Sequence, residues 1–358
     1  FTASINSKTR PIKAPPYSLN PTMQTLETGN KTFPSLFFQC ADLLLPWLSP
    51  LDLASSSLTC KFLHQISKQI TISRSLDASQ NLETHPIPFI NNTPDSEPYS
   101  YFVYTPCQIL QLSNPSQQWG CFNSSIYLKQ TVSSLLTIED GFGCDCEGIC
   151  SGDECVCCRL KPEFDSEFGF EYEVMSECGE RCVCDLSCRN RLTQKGVSVR
   201  LRVVKDGRKG WGLHAGEFIR QGEFVCEYAG ELLTTAEARC RQQKYDELAA
   251  SGKCPSALLV VREHLPSGKA CLRVNIDATK VGNIARFINH ACDGGNLLTV
   301  LVRNSGMLFP RLCFFTSRDV LEGEELVFSY GDVRLSPNGL RCYCGSSYCF
   351  GFLPSENT

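Results

Sequence analysis

The sequence has no apolar run long enough to cross a bilayer; the longest, Leu43 to Leu48, falls far short of the roughly 20 residues a membrane helix needs. It shows no internal repeat, which excludes solenoid and propeller arrays. It has no basic excess: 34 Lys and Arg stand against 38 Asp and Glu, a net charge of −4. That balance argues against broad DNA binding through a basic surface and favours a cationic partner. Residues 1–26 contain no acid and carry Lys8, Arg10 and Lys13 among Ser, Thr and Pro. Organelle transit peptides and disordered tails share that composition; residues 1–32 are read as a disordered tail. The 358 residues, 42% hydrophobic, suffice for two or three domains with a real core.

Cysteine is what the chain has in excess, 23 in all. Nine fall in two blocks: Cys144, Cys146, Cys150, Cys155, Cys157, then Cys178, Cys182, Cys184, Cys188. Zinc takes four thiolates in a tetrahedron, and nine is not a multiple of four. Three zincs need twelve bonds, which nine sulfurs supply if three of them bridge. The blocks therefore read as a three-zinc, nine-cysteine cluster. A disulfide framework is the competing reading. The Cys-x-Cys pairs at 144/146, 155/157 and 182/184 are poorly placed to bond each other. Cys158 is either a spare thiol or the alternative to Cys157.

Around the cluster the pattern is uneven. Residues 33–83 read as helical, with Leu51, Leu58, Phe62 and Ile66 near helical spacing. The stretch from Leu45 to His64 resembles the later half of an F-box, which recruits a cullin-ligase adaptor; a small hairpin of helices is the blander alternative. Thr84 to Pro98 carries Pro86, Pro88, Pro94 and Pro98 and reads as a linker. Residues 99–139 lead into the cluster as short strands, and Leu160 to Ser176 reads as a loop between the blocks. The cluster region, 140–193, holds little apolar sequence, so metal has to replace a core there. Beyond it the chain turns strand-rich. Val197, Val199, Leu201 and Val203 share one face of a strand, and further strands are expected at Phe224–Leu233, Leu258–Val261, Leu272–Ile276, Leu297–Val302, Leu312–Phe315 and Glu325–Tyr330. Thr234 and Glu237 form a capping box opening a helix to about Ala250.

Three motifs sit in this strand-rich part: Lys209-Gly210-Trp211-Gly212-Leu213; Gly282-Asn283-Ile284-Ala285-Arg286-Phe287-Ile288-Asn289-His290-Ala291-Cys292; and Glu324-Glu325-Leu326-Val327-Phe328-Ser329-Tyr330-Gly331. Cys342-x-Cys344-x4-Cys349 closes the chain. In this order they resemble the pre-SET, SET and post-SET regions of histone-lysine methyltransferases of the suppressor-of-variegation class, nearest the plant SUVR branch. The resemblance covers about residues 140 to 351.

The resemblance implies a mainly β fold with small α content. The fold it implies is a SET β-clip with a pseudoknot over 194–333, flanked by the pre-SET zinc cluster and a zinc-binding post-SET tail, 334–358. It implies an enzyme that transfers methyl from S-adenosylmethionine to a lysine of the histone H3 tail, lysine 9, in chromatin silencing in the nucleus. Lys209, a turn at Gly210-Trp211-Gly212, Arg286, Phe287, Asn289, His290 and Tyr330 would hold the cofactor. Asn289 and His290 would take its amino-acid and adenine parts. Tyr330 would be the catalytic tyrosine, Tyr228 the opposite channel wall, and Phe328 the switch residue permitting di- or trimethylation. Cys292 would join Cys342, Cys344 and Cys349 around a fourth zinc. Departures are Ala291 in place of Ser, the Gly294-Gly295 insertion, Ala257 where relatives carry a cofactor-contacting Tyr, and no acidic run in the helix after Tyr228. Two other functions are carried forward: a non-catalytic chromatin adaptor, and an F-box-type ubiquitin-ligase receptor binding a cullin adaptor through residues 33–72. No direct DNA binding or membrane association is expected.

Overall fold

The computed structural model describes residues 36–110, 138, 143–150, 155–158, 174–250, 256–264, 270–331 and 340–354. The tail at 1–32 and most of the lead-in and of the inter-block insert lie outside them.

Helices come first: α1 (Leu36–Leu44), a 3-10 turn (Leu45–Trp47), α2 (Pro50–Ser57) and α3 (Lys61–Leu76). Ser49 caps α2 by accepting from the Asp52 N–H at 3.3 Å, and Pro50 occupies the first helical position, where its missing N–H costs nothing. The expected apolar face is corrected here. Leu51 is 81% exposed and Leu58 87%, whereas Leu45, Leu53, Leu63, Ile66 and Ile70 are buried together. The chain breaks between α2 and α3, so a periodicity counted across Leu58 to Cys60 spans no continuous helix.

The helices are tied to the chain beyond them. The guanidinium of the buried Arg74 donates to the carbonyls of Pro46 and Leu48 (both 2.8 Å) and to the Tyr99 hydroxyl (3.2 Å), and lies 4.7 Å from the centre of the Tyr101 ring. Asp77 accepts from the N–H groups of Ser79, Asn81 and Ile87, fixing the turn into the next segment. That segment, expected as a linker, carries β1 (Phe89–Asn91), which pairs in parallel with β4 (Leu201–Asp206). Ile87 and Phe89 belong to the main core. The prolines fit because β1 is an edge strand, and the Pro88 carbonyl accepts from Val203.

Three sheets build the rest. β1, β4 and β5 (Gly210–Ala215) form the first. The second runs in the order β3 (Val174–Glu177), β11 (Leu297–Asn304), β12 (Arg311–Thr316), β6 (Phe224–Glu227). The third is β2 (Val103–Tyr104), β9 (Cys271–Gly282), β7 (Gly230–Leu233), with β8 (Leu258–His264) also on β9. The sequence signals for β8, β9, β11 and β12 were sound but short at their ends. Val197, Val199, Leu201 and Val203 are all buried, although the strand itself begins only at Leu201. The single strand expected from Phe224 to Leu233 is two. At the break the Tyr228 N–H donates to Leu312 O (2.8 Å) and the Ala229 N–H to Asn283 Oδ1 (3.3 Å), so the chain leaves one sheet and joins another. Thr234 caps α4 (Thr235–Ala250), its hydroxyl accepting from the Glu237 N–H.

The last expected strand, Glu325–Tyr330, shrinks to β13 (Val327–Phe328), which pairs in parallel with β10 (Asn289–His290). This short pairing brings two of the motifs into contact. The cysteine region joins the same body through β3 and a buried charge cluster. Arg311 pairs with Glu177 and Glu227 (both 3.1 Å) and donates to Thr193 Oγ1 (2.6 Å) and Asn304 Oδ1 (2.8 Å). Replacing Arg311 with Leu strands two buried carboxylates. The expected loss is on the order of 3–5 kcal/mol in chemical unfolding of the full chain.

Candidate functional site

Parallel pairing of Asn289–His290 with Val327–Phe328 orders a file of rings. Tyr228 meets Phe314 edge-on at 6.4 Å, Phe314 meets Phe328 at 4.8 Å, Phe328 meets Tyr330 at 5.0 Å, and Tyr330 meets His290 at 5.2 Å. Tyr228, Phe314 and Phe328 are buried, while Tyr330 keeps 40% of its surface exposed and so stands at the mouth of the file. Phe314 was not among the expected site residues. Its signal was only a second Phe inside a strand, which usually means packing.

Both tyrosine hydroxyls are held by the main chain. Tyr330 donates to Ile288 O at 2.8 Å and Tyr228 to Ala257 O at 2.7 Å. Burial pushes both phenols above their ordinary value, so both stay protonated near neutrality. They offer oriented oxygens beside the rings.

Beside the rings lies a polar clamp. Glu325 accepts from Lys209 Nζ at 2.6 Å and from Asn289 Nδ2 at 2.9 Å. Asn289 Nδ2 also approaches Trp211 O at 3.5 Å. Glu325 is a second residue that the sequence reading did not place in the site. The Gly210-Trp211-Gly212 segment, expected as a turn, is the opening of β5, and a Cβ on Gly212 would stand 2.9 Å from Glu325 Oε1 and 3.0 Å from Asn289 Nδ2. Gly210 has φ +79°, a left-handed backbone that favours glycine. Trp211 packs edge-on against Phe89 at 5.2 Å with Lys205 over its ring at 5.4 Å, and its indole N–H is buried without an acceptor. An unmet donor beside a glycine cradle is what a polar ligand would complete.

His290 is fully engaged within the protein. The Tyr330 N–H donates to Nδ1 at 3.1 Å, which leaves the proton on Nε2, 3.2 Å from Cys292 Sγ. Burial holds this imidazole below its ordinary value, so it is neutral. Arg286 stacks on Phe102 at 4.7 Å, and Phe287 packs edge-on against Phe89 and Phe102 in the core. The Phe287 ring thus supports the site from behind.

The cysteines form groups of metal-binding shape. Sulfurs of Cys144, Cys150, Cys178 and Cys184 cluster within 4.8 Å of one another, as do those of Cys144, Cys146, Cys150 and Cys155, and those of Cys144, Cys157, Cys178 and Cys182. Cys188 is fully buried in the same cluster. Cys157 rather than Cys158 joins a group, 3.7 Å from Cys182 Sγ. A fourth group is Cys292, Cys342, Cys344 and Cys349. Measured S···S separations are 3.5 Å (Cys144–Cys150), 3.6 Å (Cys150–Cys178), 3.9 Å (Cys144–Cys178) and 3.8 Å (Cys292–Cys342). Sulfurs around a tetrahedral ion with bonds of about 2.3 Å stand roughly 3.8 Å apart, whereas a disulfide requires about 2.05 Å. Donors surround the sulfurs: Gly179 N–H and Cys144 N–H on Cys182, Asn190 on Cys178 and Cys188, Gly351 N–H on Cys349. Such donors stabilise thiolates bound to a cation. The donor set therefore fits metal and excludes the disulfide framework at these pairs.

Substituting Gly212 by Ala should push Glu325 and Asn289 apart. The expected result is a fall of about tenfold, roughly 1.4 kcal/mol, in affinity for the cofactor that the sequence resemblance implies, by titration calorimetry, with the far-ultraviolet dichroism unchanged.

Comparison with known proteins agrees with this geometry. Residues 210–331 match the SET domain family. The chain is 53% identical over 341 residues to the histone-lysine N-methyltransferase SUVR3 of Arabidopsis thaliana, covering 90% of this chain and 92% of that one. The solved methyltransferase domain of human SETMAR superposes with a TM-score of 0.59 at 30% identity, over 78% of this chain and 97% of that domain. KRYPTONITE, solved with methylated DNA, an H3(1–15) peptide and S-adenosylhomocysteine, superposes with a TM-score of 0.57 at 27% identity, over 78% of this chain and 53% of that one. By its ring file, its cysteine groups and these relatives, the chain belongs to the SET-domain histone-lysine methyltransferases of the suppressor-of-variegation class, nearest the plant SUVR branch, and is an S-adenosylmethionine-dependent protein-lysine methyltransferase.

Proposed function

We propose that this protein methylates lysine 9 of histone H3, to the di- or trimethyl state, in chromatin silencing in the nucleus. The observation that carries the reading is the ring file from Tyr228 through Phe314 and Phe328 to Tyr330. A lysine side chain is a narrow aliphatic stem with a cationic tip, and such a wall suits the stem. The peptide in the KRYPTONITE complex supports a histone tail as the partner.

When bound, S-adenosylmethionine supplies an electrophilic methyl group. The residues do the rest. Lys209, Glu325, Asn289 and the Gly210-Trp211-Gly212 opening of β5 form the cradle, with the buried indole N–H as an open donor. Attack needs a neutral amine, while free lysine has a pKa near 10.4. Burial among Tyr228, Phe314 and Phe328 disfavours the ammonium form. Tyr330, its own proton committed to Ile288 O, presents its hydroxyl oxygen as an acceptor that orients the amine. Alignment is then the main contribution to rate. Phe328 leaves room that a tyrosine hydroxyl would occupy, which is the basis for assigning more than one methyl.

Zinc is the metal we assign to the cysteine groups. Three ions would be held by Cys144, Cys146, Cys150, Cys155, Cys157, Cys178, Cys182, Cys184 and Cys188, and one by Cys292, Cys342, Cys344 and Cys349. All-thiolate tetrahedra select zinc over harder ions. The fourth site ties the C-terminal tail to the residue two places after His290.

A second role remains attached to the helices. Trp47, Leu51 and Leu58 are 63%, 81% and 87% exposed, and an apolar surface of this kind supports docking of a cullin adaptor beside methylation. Failure of the full chain to retain such an adaptor in a pull-down removes that reading.

Mass spectrometry of H3 peptides incubated with enzyme and labelled cofactor tests the main one. Tyr330→Phe should lower transfer on the order of a hundredfold, about 2.7 kcal/mol, and Phe328→Tyr should shift product toward monomethyl-lysine. Equal labelling by Tyr330→Phe would remove the catalytic assignment of Tyr330, whereas no labelling by the wild-type enzyme would favour a non-catalytic adaptor. Elemental analysis of purified protein should find about four zinc ions per chain; a stoichiometry near one would remove the cluster.

A further inference from the structure

The Tyr228 hydroxyl does not stand alone. It donates to Ala257 O at 2.7 Å, and the same carbonyl accepts the Ala278 N–H at 3.0 Å. The N–H of Ala257 donates to Thr279 Oγ1 at 3.0 Å. Thr279 is anchored in turn, its N–H donating to Asp277 Oδ1 at 2.9 Å, with a further side-chain hydrogen bond between the two. Asp277 is fully buried, and Oδ2 receives Arg241 Nη1 at 2.7 Å and the Tyr245 hydroxyl at 2.8 Å, both from α4. Arg241 also pairs with Glu231 (2.6 Å) and Glu237 (2.9 Å). An unbroken path of hydrogen bonds therefore joins α4 to the phenol of Tyr228.

We infer that Thr279 is a positioning residue that sets the methylation degree, by fixing the backbone dihedrals of Ala257 so that its carbonyl draws the Tyr228 hydroxyl away from the amine. This rests on Tyr228 being a wall of the lysine channel. Ala257 carries only a methyl, so its φ and ψ are set by its main-chain partners: the N–H, in the peptide plane before its Cα, is met by Thr279 Oγ1, and the carbonyl, in the plane after it, is shared between Ala278 and Tyr228. Without Oγ1, that N–H loses its partner in a site where Thr279 is 8% exposed. A donor without an acceptor is unfavourable, so the Ala257 backbone rotates to bring its N–H to solvent and the carbonyl turns with it. Its carbonyl then releases the phenol. A free hydroxyl beside the amine acts as a tyrosine at position 328 does: it holds the amine or a water and blocks the rotation needed to accept a second methyl.

The discriminating experiment measures the ratio of mono- to higher methyl-lysine on an H3 peptide at matched total turnover, for the full-length enzyme with S-adenosylmethionine. Thr279→Val keeps the shape and removes the oxygen; the monomethyl fraction should rise several-fold. Thr279→Ser restores the oxygen and should restore the wild-type ratio, and Thr279→Ala repeats the loss should the valine variant fold poorly. In the double variant Tyr228→Phe/Thr279→Val the ratio should equal that of Tyr228→Phe alone, because there is no hydroxyl left to release. A uniform fall in activity with an unchanged ratio in both Thr279→Val and Thr279→Ala would make Thr279 a purely structural residue and overturn the inference, while leaving Tyr228 in the channel wherever Tyr228→Phe itself alters the ratio. If Tyr228→Phe changes neither the product ratio nor the peptide KM, the channel wall itself is misassigned and the inference falls with it.

Discussion

Two residues of Asn289–His290 lying parallel to two of Val327–Phe328 is the contact on which the site depends. The pairing is far too short to be stable on its own merits. It is held from outside: Asn296 donates to Glu325 O and accepts from Val327 N, Ala291 N–H reaches Phe328 O, and the neutral His290 ring connects Tyr330 N–H to Cys292 Sγ. A Cβ on Gly295 would lie 2.3 Å from Val327 O, so the backbone there approaches closer than any side chain allows. The extra glycine of the Gly294-Gly295 pair is thus part of how the loop crosses the strand. Once the two motifs are pressed together, the rings of Phe328 and Tyr330 can only continue the line begun by Tyr228 and Phe314.

Around this crossing the protein uses charge and sulfur where apolar side chains are scarce. The cysteine region packs almost entirely through its own sulfurs. Among the described residues it meets the sheets through the parallel pairing of β3 with β11 and through the Arg311 cluster that reaches from Glu177 to Glu227, the residue before Tyr228. Gly179 adds a close approach, since a Cβ there would sit 2.0 Å from Ser305 O, and Ser305 Oγ in turn lies 3.0 Å from Cys157 Sγ. The cysteine region and the ring file are therefore mechanically continuous.

Most of this was legible in residue type and order. Nine clustered cysteines do not suit any other chemistry as well, and the strand periodicity from Val197 onward marked the buried face correctly even where the strand had not begun. What was missed depended on distant partners. The proline-rich segment around Phe89 could not be read as a strand, because its place as an edge is decided by Val203, more than a hundred residues away. The helical face was misplaced because the break near Cys60 is invisible to a period count. Glu325, inside the third motif, and Phe314, inside a strand, were not marked as site residues; they matter through Lys209, Asn289 and Phe328, which only the tertiary fold brings to them. The ring of His290, read as a cofactor contact from its motif, also joins Tyr330 N–H to Cys292 Sγ, a link between motifs that no local pattern shows.

The central claim is that a histone lysine enters along the rings between Tyr228 and Tyr330. A crystal structure of the full chain with S-adenosylhomocysteine and an H3 tail peptide tests it most directly. The account predicts the lysine stem lying against Tyr228, Phe314 and Phe328, its amine beside the Tyr330 hydroxyl and in line with the cofactor sulfur beyond the Gly210-Trp211-Gly212 segment. A peptide bound elsewhere, or a lysine whose amine points away from both tyrosines, would contradict it.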